Sequence, residues 1–492
     1  SKWPTTNPCG QVLHALDEPL ECVYYNTWMC HLPEGSFLTE VGNDQFIEVL
    51  DRYVEDVDGV NAADEWRRLK TLMVPLAGAS SALPPSAVRT DPFAAVTLAR
   101  FLPGLLKAAP VLPEIMAPYS KFLDKNDIKH PFIRNWMEVL CFLLSGAPAN
   151  GTLAAEIGYM FDDWYRPNST LEFPVGGSES IVNALVRGLE KNGGRIMLRS
   201  HVEEILVRDG RAGGIKLRGG AVINASAAVI SNATVWDTLP MLPDSAKRGD
   251  DAADEAKAAA TREWVKKCED TELCESFMHL HLGIDATGLP DDLEIHHIYV
   301  EDWSKGVTAP QNMVRLFLLS GKTLMIDVVF CVQVLVSIAS VLDPKLAPEG
   351  KHVIHAYTPG NEPLDIWDGL DRNSDEYKKL KEERSRVLWR AVEKAIPDVR
   401  KRVEMEFVGT PLTQKRFQRR HKGSYGGTGW ITEDSDTVPI TTASTPIDGL
   451  MCVGDSNFPG PGVPSVAAHG WSAAHELTSF WEQCKMLDKV AP

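Results

Sequence analysis

The chain has 492 residues, with 50 Lys and Arg against 67 Asp and Glu, giving a formal charge of −17. Apolar residues at 44% and charged residues at 24% are ordinary globular usage, which excludes a largely disordered chain. The acidic balance excludes a general nucleic-acid binder, because such a protein needs a basic face to replace phosphate counterions.

Residues 18–50 read as extended structure, with aromatic and Thr-rich runs at Val23 to Tyr25 and Phe37 to Thr39. Phe46, Val49, Leu50, Tyr53 and Val54 recur at helical spacing and predict a helix over 44–73. Residues 91–145 are apolar and broken by Pro103, Pro110, Pro113, Pro118 and Pro131. They read either as short helices lining a pocket or touching a membrane, or as an ordinary helical subdomain. Ser178 to Lys191 predicts a helix with Ile181, Leu185, Val186 and Leu189 on one face, ended by Gly193 and Gly194. Strands follow at Arg195 to Arg199, Val202 to Val207 and Ala212 to Leu217, with a turn at Gly210 and a short apolar strand at Ala227 to Ile230. This order is the grammar of an α/β nucleotide domain.

Residues 241–268, rich in Ala, Asp and Lys, read as an exposed loop and helix. Leu324 to Leu342 approaches membrane-spanning length, but Asp327 and Gln333 interrupt it and its Val and Ile content favours buried strands. Gly321-Lys322-Thr323 does not complete a phosphate loop, because Leu316 stands where the first glycine belongs. Residues 373–396 predict an amphipathic helix opened by a capping box of Asn373 and Glu376. Nine cysteines are spread along the chain without a CxxC pair or a His-rich partner set. They read as reduced thiols, and no metal site is expected.

The segment carrying most chemistry is 449–474. A short strand, Leu450 to Val453, leads into Gly454 and Asp455, then a Gly- and Pro-rich loop, then a helix of small residues opening near Pro464. Small residues at Gly462, Ala467, Ala468 and Gly470 would let a flat ligand approach the backbone. The helix N-terminus offers unpaired N–H groups, and Asp455 can accept from ligand hydroxyls. Taken alone, the same pattern also fits a strand–helix turn without ligand.

Cys452 to Ala467 resembles the C-terminal flavin motif of the carotenoid isomerase and phytoene desaturase group of FAD-dependent oxidoreductases. Phe173 to Gly177 with the helix after it, Gly194 to Ile205, Ser231 to Asp237, and Arg416–Phe417 to Gly426 resemble the same group. The likeness is strongest to its plant and algal carotenoid isomerase-like branch and runs over nearly the whole chain. It implies an α/β, FAD-linked oxidoreductase fold with a discontinuous Rossmann-like FAD domain and a mixed α+β substrate domain. On that plan 1–165 and 241–405 form the substrate domain, and 166–240 and 406–492 the FAD domain.

The resemblance also implies residue roles. The Val202 backbone meets the FAD adenine. Gly454 and Asp455 lie near the ribityl and pyrophosphate groups. Gly462, Val463 and Pro464 form the helix start facing the flavin ring, and Gly176 and Gly177 a loop near it. Asn232 and Ala233 belong to a further cofactor-binding turn. Pro461 and His469 depart from the pattern, where Gln and a small residue are usual, and His469 reads as a packing variant. The family's opening Gly-x-Gly-x-x-Gly fingerprint does not occur. Ser1 resembles a point well inside the family's sequence, so the first strand, helix and ribose ligand are expected to be missing and FAD to bind poorly. Residues 314–333 interrupt an expected strand and read as a translated retained intron, or else as a lineage-specific hairpin.

The implied activity is cis–trans isomerisation of a prolycopene-like carotenoid using reduced FAD, in a plastid, with peripheral membrane contact. The alternatives are a polyene desaturase or saturase, and a non-catalytic carotenoid- or membrane-binding protein. Sequence names no catalytic residue and no electron donor.

Overall fold

The computed structural model describes residues 7–83, 87, 93–307, 312–313, 329–330, 333–427, 443–457 and 460–490. In chain order its strands are β1 (Cys22–Tyr25), β2 (Thr27–Leu32), β3 (Gly35–Glu40), β4 (Leu171–Pro174), β5 (Val202–Arg208), β6 (Arg211–Leu217), β7 (Val222–Asn224) and β8 (Val229–Ser231). There follow β9 (His279–Asp285), β10 (His296–Tyr299), β11 (Asn312–Met313), β12 (Val329–Phe330), β13 (Val334–Ser337), β14 (Lys351–Tyr357), β15 (Val403–Gly409) and β16 (Leu450–Cys452).

A mixed sheet of seven strands, in the order β15-β9-β14-β13-β10-β2-β3, organises the larger part of the chain. Side chains alternate between its faces, as the two-residue repeat of a strand requires. Leu280, Leu282 and Ile284 of β9, Val334 and Val336 of β13, and Ile354 and Ala356 of β14 point to one face. There they pack against Val387, Leu388 and Val392 of the helix Asp375–Ala395. Trp28 and Cys30 of β2 and Ile298 of β10 point to the other, where Trp66, Trp136, Leu69 and Phe161 of three helices cover them. The remainder of that second face, toward β9 and β14, carries His and Tyr side chains.

The nucleotide-like part is smaller. β5, β6 and β7 form an antiparallel meander, and β8 pairs with β16 in parallel, Ser231 opposite Cys452. Ile205, Ala212, Val229, Leu450 and Cys452 share its core.

The structure corrects several expected elements. The helix expected over 44–73 is two, Gln45–Tyr53 and Ala62–Ser80. Asp58 and Gly59 turn the chain with positive φ between them, and the Asn61 side chain caps the second. The later amphipathic helix is capped by Ser374 rather than Asn373: Ser374 Oγ accepts from the Tyr377 N–H at 3.1 Å. Arg195 to Arg199 is not a strand. Its Leu198 is 83% exposed, and Ile196 and Met197 are exposed with it. The helix Ser178–Lys191 forms as expected, yet Val182, Leu185 and Leu189 are exposed. Ile230 of β8 is exposed too. A parallel strand pair is normally covered on both faces, and Ile230 leaves one face of this pair open.

Most of 314–333 lies outside the described residues. β11 and β12 pair antiparallel with each other, whereas β13 enters the main sheet between β10 and β14. The part of 324–342 that is described is thus a strand with buried Val334 and Val336, followed by a single 3-10 turn. Among the described residues no helix is long and apolar enough to cross a membrane.

Candidate functional site

The parallel pair β8/β16 delivers two segments side by side at its C-terminal ends, where ligands bind in open α/β sheets. The Val453 N–H donates to the Ser231 carbonyl at 2.9 Å and holds the segments in register. Asn232 and Gly454 then meet. Gly454 has φ +110°, and a Cβ there would lie 2.8 Å from Asn232 Oδ1. Only glycine serves at this point.

Asp455 follows, and its Oδ2 accepts from Arg420 Nη1 at 2.6 Å, with both side chains largely shielded. The Nε and Nη2 groups of Arg420 have no hydrogen-bond partner and are buried. Asn457, 1% exposed, has an amide with neither its oxygen nor its nitrogen paired. Unmet buried donors and acceptors cost about 1–3 kcal/mol each and are rare in folded proteins. Their clustering beside a glycine turn marks a place for a polar ligand. Further along, Gly462, with φ +99°, is the N-cap of the helix Val463–Leu477, and Pro464 occupies its first turn. His469 is buried on that helix, and burial lowers its pKa, with the Gly454 backbone acting in the opposite sense.

A cavity of about 990 Å³ opens beside this turn. Val202, Asn232 and Ala233 line it, and so do Lys415, Arg419, Arg420, His421 and Lys422. In a chain of net charge −17 that basic run is a local reversal suited to an anion. His421 Nδ1 pairs with Asp237 Oδ1 at 2.8 Å. Burial pushes the Asp237 carboxyl up, but hydrogen bonds from His421 and Thr234 outweigh it and its pKa is lowered.

The expected site residues therefore fall into groups. Val202, Asn232 and Ala233 share the cavity; Asn232 touches Gly454; Asp455 reaches the cavity through Arg420. Gly462, Val463 and Pro464 open a helix whose Ala467 packs on Cys9, Leu13 and Ala184, as does Ile181 on the helix that Gly177 begins. Gly176 and Gly177 form the turn between β4 and that helix, both with positive φ, and the Gly176 N–H donates to Asp343 Oδ2 at 2.7 Å. Arg420 and Asn457 were not singled out in sequence. The run Arg419 to Lys422 was the available signal for the first; nothing local marks the second.

These residues fit a dinucleotide in part. The glycine cradle, the unpaired Arg420 and Asn457 groups and the basic cavity suit a pyrophosphate and its neighbours. Ile230 lines the same cavity, whereas Leu185 and Leu198 are exposed and do not line it.

The His and Tyr side chains on the second face of the main sheet form another constellation. Tyr25 Oη and His296 Nε2 lie 3.1 Å apart, and His296 Nδ1 and Ser337 Oγ 2.9 Å apart. Burial lowers the pKa of His296 to about 4, of His279 to about 4 and of His355 to about 3. These rings are neutral in the folded protein. The unfolded chain takes up their protons below about pH 6.5, so they contribute full stability above that pH and lose it as pH falls toward 4. One ring moved from 6.5 to 4 costs about 2 kcal/mol at pH 5. The urea midpoint is expected to drop between pH 7.5 and pH 5, and less so in His296→Phe. An unchanged midpoint would show these rings to be accessible to protons in the folded state.

No family model matches the chain. It is similar to chloroplastic prolycopene isomerases: 33% identical over 371 residues to prolycopene isomerase 2 of an Oncidium hybrid cultivar, covering 74% of this chain and 56% of that protein. To the Arabidopsis thaliana prolycopene isomerase it is 31% identical over 358 residues, covering 73% and 53%. The neurosporene-forming phytoene desaturase of Rhodobacter capsulatus is more distant, at 26% identity over 374 residues, 74% of this chain and 64% of that protein. The chain thus spans a little over half the length of the isomerases it matches. Its fold is that of an oxidoreductase from Methanosarcina mazei, with TM-score 0.55, 17% identity, and coverage of 96% of this chain and 86% of that one. A protein from Pyrococcus furiosus superposes with TM-score 0.50, 16% identity and coverages of 97% and 84%.

Proposed function

We propose that this chain carries the substrate domain and the Asn232–Gly454 part of the cofactor site of a flavin-dependent carotenoid cis–trans isomerase. The observation that carries the reading is the Asn232–Gly454 cradle beside the Arg420–Asp455 pair, in a chain similar to prolycopene isomerases over about three quarters of its length. FAD in its reduced form would lend the polyene the electron density that loosens a double bond, with no net redox change. The protein's own part is to hold and shield. The Val202 backbone faces the adenine, and Arg420 with its basic neighbours meets the pyrophosphate. Gly454 and Asp455 meet the ribityl chain, Gly462 to Pro464 bring the helix start to the ring, and the Gly176–Gly177 turn closes on it.

A hydrocarbon substrate is held by apolar walls rather than by polar contacts. It arrives from a membrane, and exposed Phe93, Val96, Leu102, Leu106, Leu112 and Met116 offer a contact surface. A plastid location accompanies the reading. The double substitution Leu102→Asp with Leu106→Asp is expected to reduce cosedimentation with anionic vesicles about tenfold or more, since burying each leucine contributes roughly 1.5–3 kcal/mol. Equal cosedimentation would remove this surface from the proposal.

The deciding assay supplies poly-cis lycopene with FAD and a reductant in the absence of air. All-trans product of unchanged mass is the expected result. A mass change of two hydrogens would replace the isomerase by a desaturase or saturase, the reading that the Rhodobacter similarity supports. Bound, unchanged pigment would make the chain a carotenoid-binding protein.

A further inference from the structure

β9 and β14 are antiparallel neighbours, with His281 opposite His355 and His279 opposite Tyr357. His279 and His281 stand two residues apart on one face of β9, and His355 lies on the same face of β14. The three imidazoles therefore meet, each with a ring nitrogen within 4.8 Å of the others'. His279 Nδ1 and His355 Nε2 are 2.9 Å apart. The His281 and His355 rings stack at 4.3 Å with 6° between their planes. His279 Nε2 is buried without a hydrogen-bond partner, an atom left over by the packing.

We propose that His279, His281 and His355 form a binding site for one divalent late transition-metal ion of the zinc class. Three nitrogen donors and an open position are the ligand set of a tetrahedral site completed by water or an added ligand. Zinc–nitrogen bonds of about 2.0–2.1 Å place ligand nitrogens about 3.3 Å apart, between the 2.9 Å of the His279–His355 pair and the 4.8 Å that bounds all three. Neutral imidazole is the ligating form. An all-nitrogen set excludes Ca²⁺ and Mg²⁺, which take oxygen ligands, and suits Zn²⁺, Co²⁺, Ni²⁺ and Cu²⁺. His281 is exposed and gives the ion a way in.

The surroundings are apolar and aromatic. Phe277 packs edge-on to His279 at 5.2 Å, and Tyr425 packs on Phe277 at 4.3 Å. Tyr357 stacks on His355 at 4.8 Å. Tyr425 belongs to the segment after Arg420, so the triad and the cofactor cradle share one wall. A pure hydrocarbon has no atom to ligate a metal. The site is therefore independent of the isomerase reading: it would tie β9 to β14 and offer its open position to a ligand with an oxygen or nitrogen donor.

Titration of the EDTA-treated chain with Co²⁺ tests this, because low-coordinate Co²⁺ shows intense visible bands that Zn²⁺ then abolishes by displacement. One equivalent is expected to bind. Removing even an outer-shell partner of a metal ligand weakens binding by about 10–100-fold, so loss of a ligand in His281→Ala should weaken it by at least about 100-fold. His281 is exposed, so that variant is expected to fold; His355→Ala is the second, buried test, with folding checked by circular dichroism. His352→Ala, which removes a histidine bonded to Ser340 Oγ, should bind as the parent does. Absence of the visible bands in the parent, or equal Co²⁺ affinity in His281→Ala and His355→Ala, would overturn the site. Neither flavin nor carotenoid enters the experiment, so its result stands apart from the isomerase assay.

Discussion

Glu362→Ala is expected to destabilise the protein by about 3–5 kcal/mol, the cost of removing one member of a buried ion pair. Glu362 is fully buried and Arg384 is 6% exposed. Arg384 Nε donates to Glu362 Oε1 at 2.9 Å and Nη2 to Oε2 at 2.7 Å, a two-pronged pair. Trp367 Nε1 adds a third hydrogen bond to Oε1 at 2.8 Å. Removing the carboxylate takes the paired charge from Arg384, on the helix Asp375–Ala395, and the acceptor from the Trp367 indole N–H. The Glu362→Leu, Arg384→Met double variant should recover most of the loss, because both charges go together and apolar volume replaces them. Urea unfolding at pH 7.5 measures both. A loss below about 1 kcal/mol in Glu362→Ala would mean that water reaches the pair.

The consequence extends to the cofactor cradle. Backbone hydrogen bonds run both ways between Glu362 and Ser276, each 2.9 Å. Ser276 Oγ donates to the Gly423 carbonyl, and the Tyr425 N–H donates to the Glu275 carbonyl at 2.8 Å. The segment carrying Arg420 is thus pinned to the element that the ion pair anchors. Partial loosening of Glu362 should misplace Arg420 before the chain unfolds.

Local patterns made much of this legible. The helix Ser178–Lys191, the hairpin of β5 and β6 and the strand–Gly–helix run from Leu450 to Leu477 follow from periodicity and glycine placement over short stretches. What failed depends on partners distant in sequence. Ile196 and Leu198 alternate as a strand should, but a strand forms only against a neighbour, and here they remain uncovered. The histidine triad is hidden for the same reason. His279 and His281 alone are two members of an alternating strand, and only the β9/β14 register brings His355 opposite His281. The joining of Asn232 to Gly454 across more than 200 residues of chain is likewise a product of parallel pairing. Family resemblance supplied Asn232, whereas Gly454 was marked by its place after the Leu450–Val453 strand.

Arg420→Gln is expected to weaken FAD binding about 10–100-fold, read as the shift in a titration of flavin fluorescence against the parent chain. A hydrogen bond to a charged group contributes about 1.5–3 kcal/mol, which converts to that range. The parent Arg420, which lines the cavity, spends one N–H on Asp455 and keeps Nε and Nη2 buried without a hydrogen-bond partner. Glutamine is shorter and neutral, so it loses both the carboxylate and the anion. Gly426→Ala should reproduce the defect without touching a polar atom. Gly426 has φ +124°, and its added Cβ would overlap both Arg420 Nη2 and Asp455 Oδ2. Asp455→Asn separates the two contributions. If Arg420 serves mainly to hold Asp455, this third variant should be as weak as Arg420→Gln. If Arg420 meets the pyrophosphate itself, Asp455→Asn should bind more tightly than Arg420→Gln, because it leaves the guanidinium in place. Equal FAD affinity in the parent and all three variants would remove the cradle from the cofactor's path, and with it the main support for the isomerase reading.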